Sequence, residues 1–172
     1  MLKKLSLTLI LLLLLGCVNT PLKNSSLSPK EQLLEQKIND WELGEAKGLF
    51  SQIRPTLDPE KLDKYETLIS EREQGVKDLE KLINVLKAAF SKNQFFIIER
   101  YTDKGIKNKI KLNELKKLDL SGGNIYTTDP KFKKNHAEIL ALINFYDESL
   151  YLDIVFNFEN GQWKIIDFSE RG

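Results

Sequence analysis

The chain has 172 residues, 41% hydrophobic and 30% charged, with 26 basic against 25 acidic side chains and a net charge of +1. That length suits one substantial domain or two smaller elements sharing a core, and the near-neutral balance gives no footing for nucleic acid or an anionic surface as partner. One cysteine and one histidine exclude an internal disulfide and leave no Cys/His ligand cluster, so neither a metal nor a cofactor is expected.

Met1-Leu2-Lys3-Lys4 is a short basic start, and Leu5 to Leu15 is apolar apart from Ser6 and Thr8. A basic stretch followed by an apolar one is the pattern of a secretory signal peptide, and the run is about half the ~20 residues a spanning helix needs. It stops at Leu14-Leu15-Gly16-Cys17, which resembles the lipobox of bacterial lipoprotein precursors. The resemblance implies removal of residues 1–16, a lipid on the Cys17 thiol and a mature chain of 156 residues, 17–172. Fatty chains contribute about 0.8 kcal/mol per buried methylene, and more than one is needed for stable anchoring. The expected location is the extracytoplasmic side of a bacterial cell envelope. Valine rather than aspartate at position 18 points to the outer membrane if the cell is Gram-negative.

Residues 17–27 then read as a lipidated cysteine and a flexible tether, polar, aperiodic and interrupted by Pro21. Ser28-Pro29-Lys30-Glu31 has the form of a capping box with proline at the first helical position. Leu34, Ile38, Trp41, Leu49 and Ile53 follow at helical spacing, with Gly44 as a place where the helix could divide and Pro55 as its end. Asp58-Pro59 starts a second helix, in which Leu62, Ile69, Val76, Ile83 and Phe90 recur every seven residues beside Tyr65, Leu79 and Leu86. Arg72 and Gly75 are weak points of that stripe. Residues 28–75 are thus expected to form a helical hairpin.

In the second half the period changes. Helices are expected at Gln94 to Tyr101 and around Lys111 to Leu118. Ser121-Gly122-Gly123 then punctuates the chain, and strands follow at Asn124 to Thr128, Ala137 to Tyr146, Leu150 to Glu159 and Trp163 to Ser169. Asn160-Gly161 accepts the positive φ of a two-residue hairpin turn. The helix KDLEKLINVLKAAFSKN, the short helix ending in IIERYTDKG and the closing hairpin NGQWKIIDF are together similar to the nuclear transport factor 2-like superfamily. For residues 76–172 this implies a cone-shaped α+β domain, a curved antiparallel sheet of about four strands packed on helices around a cavity. The superfamily hosts enzymes and plain binding modules alike, so the likeness supplies no function.

Pairing arithmetic from the Asn160-Gly161 turn sets Phe158 beside Trp163, Phe156 beside Ile165 and Ile154 beside Asp167. A turn at Asp147-Glu148 sets Phe145 beside Leu150 and Ile139 beside Phe156. One face is then apolar except for Asp167, whose carboxylate needs a donor, water or a pocket if buried. Asp167, Tyr101, Tyr126, Ile154, Phe156 and Trp163 are therefore the candidate ligand-pocket residues. An Asp167 that meets solvent or a lysine, or is turned round by a one-residue bulge, stays open as the competing arrangement. His136 falls on the other face beside Lys133, Lys134 and Asn135, as a solvated residue.

The leading expectation is a noncatalytic lipoprotein, tied to the membrane through its lipid, that binds a small apolar ligand or an envelope protein. The alternative is a small isomerase, dehydratase or hydrolase-like enzyme with Asp167 as general base, which needs a raised carboxyl pKa. A homodimer through the sheet face or the hairpin is a third.

Overall fold

The structure, a computed structural model, describes residues 27–146 and 148–171. The expected signal sequence, Cys17 and most of the expected tether lie outside the described residues, as does Asp147 of the expected turn.

Among the described residues the fold is α+β, with five α-helices and a five-stranded antiparallel sheet. α1 (Pro29–Asn39) opens on the expected capping box: Glu31 N–H donates to Ser28 Oγ at 3.3 Å, and Ser28 N–H returns a bond to Glu31 Oε2 at 2.8 Å. Glu31 is almost fully buried, and its Oε1 lies 2.6 Å from Lys61 Nζ. The Lys61 contact, with the two Ser28 bonds, pulls its carboxyl down to about 2. α2 (Leu43–Ile53) follows, then a 3-10 turn (Arg54–Thr56).

The break between α1 and α2 falls at Trp41, not at Gly44. Trp41 has φ +62, a left-handed conformation that costs a bulky residue roughly 1–2 kcal/mol, and it leaves the stripe on which its spacing had placed it. Leu34, Ile38, Ala46, Phe50 and Ile53 pack on Tyr65 and Ile69 without it.

α3 (Pro59–Ser91), capped by Asp58 on the Lys61 N–H at 2.8 Å, has 33 residues, about 50 Å at 1.5 Å per residue. It passes through Gly75 and Val76 without a break and serves two cores. Its first half carries Tyr65 and Ile69; its second half carries Leu79, Leu82, Ile83, Leu86, Ala89 and Phe90 against the sheet. α4 (Phe95–Tyr101) matches its expected range closely. α5 (Ile106–Leu115) begins five residues before Lys111 and ends three before Leu118. Its buried side is Asn108, Leu112 and Leu115, and the polar first member of that set hides the start of the stripe.

The strands are β1 (Asn124–Thr127), β2 (Lys131–Lys133), β3 (His136–Phe145), β4 (Glu148–Glu159) and β5 (Gln162–Glu170), in the order β1-β3-β4-β5, with β2 also paired to β3. β2 is the strand absent from the sequence expectation, having only three residues, two of them lysine. Asn160 and Gly161 take φ +52 and +73, as the hairpin turn requires. β3 and β4 pair Phe145 with Glu148 and Ile139 with Ile154, two residues away from the expected register. An even shift leaves every side chain on its expected face.

Trp41 ends in the sheet core. Its ring stacks on Phe132 at 4.9 Å between centroids and meets Trp163 at 5.2 Å and the edge of Phe158 at 5.3 Å. Its indole N–H donates to the Lys134 carbonyl, and the Arg72 guanidinium lies 4.4 Å from its centroid. Gly75 makes room for it: a Cβ there would stand 2.9 Å from the Trp41 ring and 3.3 Å from Phe158. The Gly75 carbonyl also accepts the Trp163 indole N–H at 2.7 Å. Arg72 and Gly75, weak points of a helix stripe, form the seat of a tryptophan.

On an open helix face Gly75→Ala would gain about 1 kcal/mol. Here the methyl overpacks the joint, and a net loss of about 1–3 kcal/mol is expected in urea unfolding. The loss should shrink in a Trp41→Leu background, which removes the clashing ring. Glu31 gives a pH test. A carboxyl whose pKa is lower folded than unfolded adds stability that is complete above the ordinary value of 4.5 and disappears as pH falls through about 2. The stability gap between the wild type and Glu31→Gln, measured by denaturant titration, should therefore be open at pH 7 and close across that window.

Candidate functional site

β5 is an edge strand, and an edge must be covered or it invites foreign strands. Thr102 bridges to Ile165, and the Asp103 N–H donates to the Ile165 carbonyl at 2.7 Å. One turn into α5, Asn108 Nδ2 donates to the Ile166 carbonyl at 2.9 Å. Three residues further on, Lys111 Nζ lies 2.5 Å from Asp167 Oδ1 and also donates to the Phe168 carbonyl. The carbonyls of Ile165, Ile166 and Phe168 are thus met by one side of α5 and the turn before it.

This places Asp167 differently from the expected pairing. Val155, not Ile154, is its partner, and a bulge between Val155 and Phe156 leaves Ile166 unpaired. Phe168 takes the place opposite Ile154 and is buried. The extra residue trades a carboxylate on the apolar face for a phenyl ring, avoiding a desolvation cost of several kcal/mol and gaining roughly 1.5–3 kcal/mol of burial. The sequence holds a signal for this: inward apolar residues fall at 163, 165 and 168, so alternation breaks at Ile165-Ile166.

The Asp167 side chain is 29% exposed and faces both Lys111 and, at 3.7 Å, Lys107. Desolvation is the largest single influence on its carboxyl and pushes the pKa up. The Lys111 bond and charge, the Lys107 charge and the Phe168 N–H together outweigh it, leaving the carboxyl below its ordinary value. A general base needs the opposite direction.

The other candidates are not gathered round Asp167. Ile154, Phe156 and Trp163 are interior residues of the sheet core. Tyr101 is 36% exposed at the end of α4, and Tyr126 is 58% exposed on β1. His136 is exposed opposite Asn157. Among the described residues no group of three or more His, Cys, Asp or Glu side chains could hold a metal ion.

Two openings lie on the flanks of α5. One, of about 410 Å³, runs between α5 and the ends of β4 and β5. Leu115, Leu118, Leu150, Leu152 and Phe168 form its floor, and Lys111, Glu114 and Glu170 its rim. The other, of about 400 Å³, lies between α4 and the first turns of α5. With the helix expected only from Lys111, Asn108 falls outside it, and the cleft that Asn108 lines is not legible in the sequence. No family model, no curated protein and no solved structure matches the chain.

Asp167→Asn should lower stability by about 1 kcal/mol and speed hydrogen exchange of the α5 amides relative to those of β3. A base held in an apolar pocket would show the reverse, a gain in stability on losing its charge.

Proposed function

We propose that this protein is a lipid-anchored lipoprotein on the extracytoplasmic side of a bacterial envelope and acts there as a noncatalytic binding module for a small apolar ligand. The observation that carries the ligand is the cleft between α5 and the β4–β5 ends. Its floor is apolar throughout, its charges stand on the rim, and its volume of about 410 Å³ falls in the usual range for small-molecule sites. The anchor rests on Leu14-Leu15-Gly16-Cys17 behind a basic start and an apolar run.

The finer reading of the fold, a cone-shaped nuclear transport factor 2-like domain preceded by a helical hairpin, belongs with this proposal. It is supported by the succession of long α3, short α4 and three consecutive antiparallel strands closing on Asn160-Gly161. In that arrangement α5 walls the mouth of the cone, and the floor of the cleft is the open end of the apolar sheet face. Asp167 then holds the wall in place and takes no part in chemistry.

Expressed in a bacterium, the wild type should fractionate with membranes and carry the mass of an acylated cysteine, and Cys17→Ser should lose both. Native mass spectrometry of the protein after exposure to an envelope lipid extract should show a bound apolar species. Leu118→Trp, which adds bulk on the half-buried edge of the floor, should exclude it. A chain that takes up nothing from the extract would overturn the ligand reading.

A further inference from the structure

The apolar cleft between α5 and the β4–β5 ends has a rim whose charges are unevenly committed. We propose that its ligand is a cationic amphiphile, an apolar chain ending in a protonated primary amine, an inference that rests on the reading of this cleft as an apolar-ligand site. The floor places the chain: Leu150, Leu152 and Phe168 from the sheet, Leu115 and Leu118 from α5 and the turn after it. The head group is decided by which rim charges already have partners. Lys111, the one cation lining the cleft among the described residues, is held by Asp167 at 2.5 Å and by the Phe168 carbonyl, with its side chain 26% exposed. An anionic head would have to draw it away from both.

The rim carboxylates are in the opposite condition. Glu170 is the cross-strand partner of Leu152, and directly opposed residues project to the same side of a sheet. Leu152 is buried in the core, so Glu170 continues the inward line two residues after Phe168 and sets a carboxylate on the apolar face at the mouth of the cleft. Glu114 supplies a second carboxylate from the helix wall, and both are exposed. Neither makes an ion pair among the described residues. The neighbouring cations are engaged elsewhere: Arg171 bonds Asp153 at 2.6 and 3.0 Å, and Lys116 pairs with Glu99. α5 adds the same sign, because its last turn holds no basic residue and the final carbonyls of a helix carry partial negative charge. An ammonium head gains charge-assisted hydrogen bonds here; a neutral head gains no charge term, and an anionic one is repelled.

The test uses probes of one chain length and different heads: octylamine, 1-octanol and octanoate. Each is titrated into the full chain in a nonionic detergent at about pH 7 and low salt, where the amine is protonated and the carboxylates are ionised. Binding is followed by methyl NMR of the floor residues Leu115 and Leu150, and the methyl signals of Ile139 and Ile143 report an intact core. Octylamine should bind about tenfold tighter than octanoate, with octanol between them. In a Glu114→Gln/Glu170→Gln double variant, two surface changes, the affinities should agree to within about threefold. Leu118→Trp should weaken all of them together. If no probe shifts the floor signals, the apolar-ligand reading falls and this inference falls with it. If the probes bind alike, if octanoate binds best, or if the double variant keeps the preference, the apolar-ligand reading stands and the cationic head is overturned.

Discussion

The contact on which the rest of this structure depends is the closure of Trp41 over Gly75. α3 is one continuous helix serving two hydrophobic cores, and a helix alone does not tie the segments packed on its two halves to each other. Trp41 does so by leaving the smaller core at a left-handed residue and entering the larger one, where Phe132, Phe158 and Trp163 enclose it. Burying a tryptophan is worth several kcal/mol, since truncating one costs about 3–5, enough to offset the backbone strain at φ +62. The absence of a side chain at Gly75 allows the approach, and the Trp163 indole bonded to the Gly75 carbonyl fixes its depth. The Lys134 carbonyl, itself on a left-handed residue, is held by the Trp41 N–H, so the β2–β3 turn belongs to the same joint.

The second organising constraint is the exposed edge of β5. A bulge at Ile166 turns Asp167 outward and Phe168 inward, and α5 answers with Asn108 and Lys111, three residues apart on one side of the helix. Covering an edge with a helix bonded to it through side chains leaves space on both flanks of that helix, because the contacts are few and lie on one line. The two clefts are a consequence of this form of edge protection. Their difference in character follows from the helix: its C-terminal half presents leucines toward the sheet, and its N-terminal end presents uncapped N–H groups, lysines and an amide.

The chain enters the fold beside the start of α3, where Ser28, Glu31, Asp58 and Lys61 meet. The sheet packs on the second half of that helix. With an anchor at Cys17 as proposed, the first half of α3 is a spacer of about 25 Å that carries the sheet and both clefts away from the point of attachment. The capping box at Ser28 and its buried ion pair then fix the start of α1 to the base of the spacer.

Much of this was legible in the sequence, wherever one residue type carries one local instruction. The capping box, the Asp58-Pro59 start, the Asn160-Gly161 turn and the faces of β3 and β4 need only hydrogen-bond chemistry, allowed φ values and a two-residue period. What only the tertiary structure decided lies where local periodicity competes with burial at a distance. The stripe of the first helix includes Trp41, but a cavity more than thirty residues away in sequence, at Gly75, offered that ring a better partner. Strict alternation puts Asp167 on the apolar face, but a bulge places Phe168 there because burying a phenyl ring is favourable and burying a carboxylate is not. Asn108 interrupts the apolar spacing of α5 because its partner is a strand edge nearly sixty residues further on. In each case the deciding atom is close in space and far along the chain, and a one-dimensional pattern has no term for it.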